Sequence, residues 1–220
     1  MARVLGHVFK PEATLVESEL ASNIAASPGV VRASSIPSVR WHELTFRSRN
    51  PLTQAEIDQA KLPGFTVPAH YDYIIWMAVS HHVLLCAESL AVVEAFAGRH
   101  LRRNGIHLRR TQIRVTELVR QLLATPTQFA LTHVHARIGG FGESLKTISM
   151  WGDDLGDAQF VRDSSNIMFG TQCGLRRLDE ERELLRLTNE GKFSFFYEEG
   201  RLKPIEGVLS YLYANSFFID

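Results

Sequence analysis

The sequence predicts an α+β fold made mainly of antiparallel sheets with hairpins and about five helices, and it leaves room for two similar halves. Three observations predict it. Short segments of alternating apolar residues outnumber segments with helical spacing. Turn-forming clusters separate neighbouring alternating segments, as in a hairpin. Regular strand–helix–strand alternation is missing. With 220 residues, 45% of them apolar, the chain is large enough to bury a core.

Val4, Leu5, Val8 and Phe9 mark a first strand. Val16, Leu20 and Ile24 recur every four residues, giving a helix over about 14–26 that Pro28-Gly29 stops. Residues 30–33 and 41–47 read as strands. Thr53 and Glu56 form a capping box, with Leu52 and Ile57 as a hydrophobic staple, so a short helix follows and ends at Pro63-Gly64. Tyr71 to Val79 and Val83 to Cys86 form a hairpin around Ser80-His81.

Ser89 caps a helix that runs to about Arg103, where Asn104-Gly105 ends it. Val115, Leu118, Val119, Leu122 and Leu123 place a second helix over about 111–124. Phe129 to Ile138 and Leu145 to Trp151 are strands joined by a Gly139-Gly140-Phe141-Gly142 loop. Another strand is expected within 167–175 and a helix within 178–189. A hairpin is expected over 192–197 and 201–205. Residues 207–219 read as a terminal helix docked on the sheet. The layout divides into an α+β half at 1–104, a basic connecting helix at 105–126 and an α+β half at 127–220, or forms a single compact domain.

Charge is balanced overall, with 24 basic and 24 acidic residues, but unevenly placed. Residues 99–146 hold 9 basic and 2 acidic side chains. Nearly all the cations are arginine: Arg99, Arg102, Arg103, Arg109, Arg110, Arg114, Arg120 and Arg137. Arginine favours bidentate contact with phosphate and carboxylate. Such a block reads either as a nucleic-acid or acidic-partner surface or as internal neutralisation against the acidic C-terminal third. Few aromatics interleave with it, so backbone contact with a duplex is the more natural mode than base stacking.

Other constellations are weaker. On a strand, His133, His135 and Arg137 project together, because side chains alternate. With Asp153, Asp154 and Asp157 they form a candidate metal-dependent phosphodiesterase or nuclease site. The same residues also fit a solvated sheet face and a capped turn. The Gly139–Ser144 loop lacks the spacing of a phosphate-binding motif and reads as a wide turn. Cys86 near His81 and His82 lies in an apolar run, as a buried small residue would. The aromatic C-terminus, with Phe193, Phe195, Phe196, Tyr197, Tyr211, Tyr213, Phe217 and Phe218, belongs to the core or to an interface.

The two isolated thiols suit a reducing compartment, and the N-terminus lacks the apolar run of a signal peptide. A cytoplasmic protein without membrane contact is expected. The leading expectation is a non-enzymatic subunit or binding module that engages nucleic acid or an acidic protein through its arginines, with a protein partner or a homo-oligomer. No metal or cofactor is called for. The alternatives are the metal-dependent enzyme and a small-ligand sensor with its pocket between the two halves.

Overall fold

The computed structural model describes residues 3–12, 16–37, 39–49, 68, 70–125, 128–138, 147–164 and 168–219. The capping box at 53–56 and the glycine loop at 139–142 lie outside them. The fold is α+β, with five α-helices and an 11-stranded antiparallel sheet among the described residues.

The elements run β1 (Arg3–Pro11), α1 (Glu17–Ala25), β2 (Val30–Ser35), β3 (Trp41–Arg49), β4 (His70–Val79), β5 (Val83–Ala87) and α2 (Leu90–Ala95). A π-helical turn, Phe96–Leu101, extends α2. Then come β6 (Leu108–Arg110), β7 (Gln112–Ile113), α3 (Val115–Ala124), β8 (Phe129–Ile138), β9 (Ile148–Trp151), a 3₁₀ turn (Leu155–Asp157), α4 (Gln159–Ser164), β10 (Met168–Arg177), β11 (Leu185–Thr188), β12 (Lys192–Phe196), α5 (Glu199–Ala214) and β13 (Phe218–Ile219). No helix among the described residues is long and apolar enough to cross a membrane.

The main sheet has the strand order β2-β3-β4-β5-β1-β12-β11-β10-β8-β9, and β6 pairs with β1 beyond the end of β12. The N-terminal strand β1 therefore sits in the middle. Leu5 lies opposite Ala87 on one side and Ser194 on the other. Gly6 marks the tightest place: a Cβ there would meet the Leu85 carbonyl at 2.5 Å and the Cys86 Cβ at 2.6 Å.

Period-two alternation divides the sheet into two faces. The first face carries Trp76, Leu84, Cys86, Val4, Val8, Phe193, Phe195, Leu185, Leu187, Cys173, Val134 and Ala136 in one buried cluster with Val115, Leu118 and Val119 of α3 and Leu202, Ile205, Val208 and Leu212 of α5. The second face carries Leu44, Phe46, Ile75, Met77, Leu85 and Phe9 in a second cluster with Leu20 and Ile24 of α1 and Val93 and Phe96 of α2. That second cluster covers only β3, β4, β5 and β1.

Several sequence expectations are corrected. Residues 178–189 form no helix: a turn leads into β11, where Leu185 and Leu187 are buried and alternate with Arg186 and Thr188. The acidic run is held in the turn, with Arg177 bonded to Asp179 and Arg176 to the Glu180 carbonyl. Gly191, at φ +72°, makes the β11–β12 turn, not a helix end. The expected 192–205 hairpin keeps only its first strand. Leu202, Ile205, Val208, Leu209 and Leu212 are buried at helical spacing, so α5 starts at Glu199 despite Pro204. The 111–124 helix starts at Val115, because β7 pairs with β13 just before it. Ser89 occupies the N-cap of α2, but its side chain makes no capping bond.

Candidate functional site

On the second face, β12, β11, β10, β8 and β9 carry no helix among the described residues. The ladder registers set one row of side chains across this open half: Trp151, His133, Gly174, Arg186 and Ser194. The next row holds Ser149, His135, Gln172 and Thr188. Arg137 pairs with Phe169, and Arg3 with Phe196. Trp151, Phe169 and Phe196 are 66%, 56% and 48% exposed. Aromatic rings are thus held out to solvent between arginines, lysine and histidines.

Local structure shapes this row. Two register shifts bracket its histidines, one skipping Thr171 on β10 and the other skipping Thr132 on β8. Thr171 Oγ1 donates to the His135 carbonyl at 3.0 Å, and Thr132 Oγ1 donates to Glu183 Oε2 at 3.0 Å. Glu183 Oε1 accepts from Arg186 Nε at 3.0 Å and pairs with its Nη2 at 2.9 Å. A Cβ on residue 174 would fall 2.1 Å from Glu183 Oε2, so glycine is what lets this carboxylate lie against the sheet. Arg3 Nη2 donates to Ser194 Oγ at 3.2 Å. Arg3, Glu183, Arg186, Ser194 and Phe196 line a small pocket of about 110 Å³.

The His133 ring lies parallel to the Trp151 indole, with centroids 5.1 Å apart and planes 12° apart. Only 4% of His133 is exposed, so Trp151 is buried on one side and open on the other. Burial lowers the His133 pKa below the ordinary imidazole value. Arg186 and His135 push the same way, and Glu183 opposes them. His135 is half-buried and its Nδ1 bonds Ser149 Oγ.

The arginine block does not form one surface. Arg99, Arg102 and Arg103 are exposed at the end of α2, on the second face. Arg110 on β6 reaches Glu94 of α2 at 2.9 Å, and Glu94 also lies 3.4 Å from the buried His7. Arg109, its neighbour on β6, is exposed and lies opposite Lys10 on the other side of the strand. Arg114 and Arg120 belong to α3, which packs on the first face, and Arg120 Nη2 donates to the Met168 carbonyl at 3.5 Å. Of the eight, Arg137 alone lies in the open half. The other cations there, Arg3, Arg186 and Lys192, come from stretches whose local charge is unremarkable. The alternation of His133, His135 and Arg137 was the one sequence signal for this face.

The residues of the metal reading are not gathered. Among the described residues no group of three or more His, Cys, Asp or Glu side chains is placed to hold a metal ion. Asp154 caps the 3₁₀ turn through the Gly156 N–H at 2.8 Å, Asp157 pairs with Arg162 at 3.4 Å, and the Asp153 carbonyl accepts from Arg176. Gly139–Ser144 lie outside the described residues. Cys86 is buried, donates to the Trp76 carbonyl and has its thiol pushed well up by burial. Cys173 is pushed up to about 12, by burial first and by Glu183 second.

Elsewhere, a cleft of about 550 Å³ lies between the β4–β5 turn and α5, lined in part by Arg40, His81, Lys203, Glu206, Tyr213 and Phe218. His81 stacks on Tyr213 at 4.0 Å and 9°. Compared with known proteins, the chain matches no family model and no curated protein sequence.

Proposed function

We propose that the protein is a binding module for single-stranded nucleic acid and that the open half of the sheet is its interface. The observation that carries this reading is the set of exposed rings, Trp151, Phe169 and Phe196, set among Arg3, Arg137, Arg186 and Lys192 on a face that no described helix covers. Bases splayed from a single strand stack on such rings without regard to sequence, and the cations neutralise the backbone. The rings sit on β9, β10 and β12. At ~4.8 Å between strands, Trp151 and Phe196 are roughly 19 Å apart across the sheet, enough for several nucleotides. This revises the expectation of duplex backbone contact: the aromatics absent from the arginine block are present here.

The test is fluorescence anisotropy with labelled single-stranded RNA, single-stranded DNA and duplex DNA at two salt concentrations. Single strands are expected to bind more tightly than duplex, with an affinity that falls as salt rises. Trp151→Ala combined with Phe196→Ala is expected to weaken binding strongly and leave the fold intact. Absence of salt-sensitive binding to any single strand, or full binding by the double variant, sinks the reading and returns the arginines to a protein partner.

The cleft beside α5 supports a second reading, the small-ligand sensor. That reading expects a rise in melting temperature with a small molecule and its loss in Tyr213→Ala, because a ligand bound only to the folded state stabilises it. A ligand screen that leaves the melting temperature unmoved removes it.

A further inference from the structure

We infer that the pocket beside Phe196 selects guanine, with Glu183 reading the base edge. The inference rests on the open face being a single-strand interface and names what that face prefers. Three observations lead to it. The pocket, about 110 Å³, has room for the edge of a base and not for a whole nucleotide. Its wall offers an aromatic ring for stacking, Phe196, and two guanidinium groups, Arg3 and Arg186. Amid these cations lies one carboxylate, Glu183, fixed by Thr132, by Arg186 and by the missing Cβ of Gly174.

A carboxylate is a poor element of a surface that only neutralises phosphate. It is a good element of a base reader. Each Glu183 oxygen makes one bond of those described within the protein and keeps a second lone pair. Among the four bases only guanine presents two adjacent N–H donors, N1–H and the N2 amine, that a carboxylate can accept together. The same base carries O6 and N7, the acceptors that arginine favours. Adenine, cytosine and uracil each set an acceptor beside their donor and would turn a lone pair toward Glu183.

The test measures binding of a labelled oligouridine with one central guanosine, against the same strand with inosine, adenosine or uridine there. Inosine lacks only the N2 amine. The guanosine strand is expected to bind about tenfold or more tightly than the inosine strand. In Glu183→Gln, which keeps the shape of the side chain, that preference is expected to vanish while binding of plain oligouridine stays the same or rises. Circular dichroism and the melting temperature of the variant check that the fold is kept, and Glu183→Asp provides a second carboxylate variant. Equal binding of the guanosine and inosine strands, or a guanosine preference that survives in Glu183→Gln, overturns the inference. If no strand binds at all, it is the interface itself that has failed.

Discussion

The two halves of the second sheet face are built on the same strands but finished differently. Over β3, β4, β5 and β1 the residues are Leu44, Phe46, Ile75, Met77, Leu85 and Phe9, and α1 and α2 cover them. Over β12, β11, β10, β8 and β9 the same side of the strands carries Lys192, Ser194, Arg186, Gln172, His133 and His135, and no described helix covers them. The opposite face is apolar throughout. The first half shows what the fold needs to be stable. The exposed rings of the other half lie outside that need, and this is the reason to read them as functional.

The largest expected effect breaks the covered half. Leu85→Ala, fully buried under α1 and α2, is expected to cost about 2–5 kcal/mol in urea unfolding. Gly6→Ala should also destabilise strongly, since its methyl would press on the Leu85 carbonyl and on Cys86, where the halves meet at β1. A native-like stability for either variant would mean that β1 does not hold the centre of the sheet.

Binding separates the halves next. Trp151→Ala is expected to lose about 1–3 kcal/mol of single-strand affinity with little change in unfolding midpoint. Arg137→Gln is expected to lower the salt slope of binding by about one. Equal losses of stability in Trp151→Ala and Leu85→Ala would erase the distinction between the halves.

Protonation gives a smaller effect. His7, His100 and His133 all titrate below the ordinary imidazole range, each chiefly because burial disfavours the charged form. The unfolded chain therefore takes up protons first as pH falls. Stability is full above the ordinary pKa and is lost as pH drops through roughly 6.5, until the folded-state values are passed. The urea midpoint should fall between neutral pH and about pH 5. His7→Gln in the covered half and His133→Gln in the open half should each flatten that dependence. A midpoint that rises on acidification would contradict the burial of these rings.

The smallest effect is chemical. Cys86 and Cys173 are buried with their thiols pushed up, so a thiol reagent is expected to label neither in the native state and both in urea. Fast labelling of Cys173 in the folded protein would mean that the open half is looser than the covered half.

The fold class, the β4–β5 hairpin, the alternation of β8 and the burial of Cys86 were all legible in the sequence by itself. Each depends on period-two or helical spacing within a few residues, and on turn residues that act locally. The Leu185–Thr188 strand was missed because acids at 179–181 imitate a helix start, and α5 because Phe193 to Ile205 alternates briefly before its helical spacing takes over. The candidate site was less legible still. Arg3, Trp151, Glu183, Arg186 and Phe196 lie far apart in the chain, and only the strand order brings them to one row. Tertiary structure also decided that the arginine run would be divided, since α2 and α3 pack on opposite faces of the sheet. Local patterns state which side of a strand is apolar. Which strands become neighbours, and which face a helix leaves open, follows from long-range packing that no short stretch of sequence encodes.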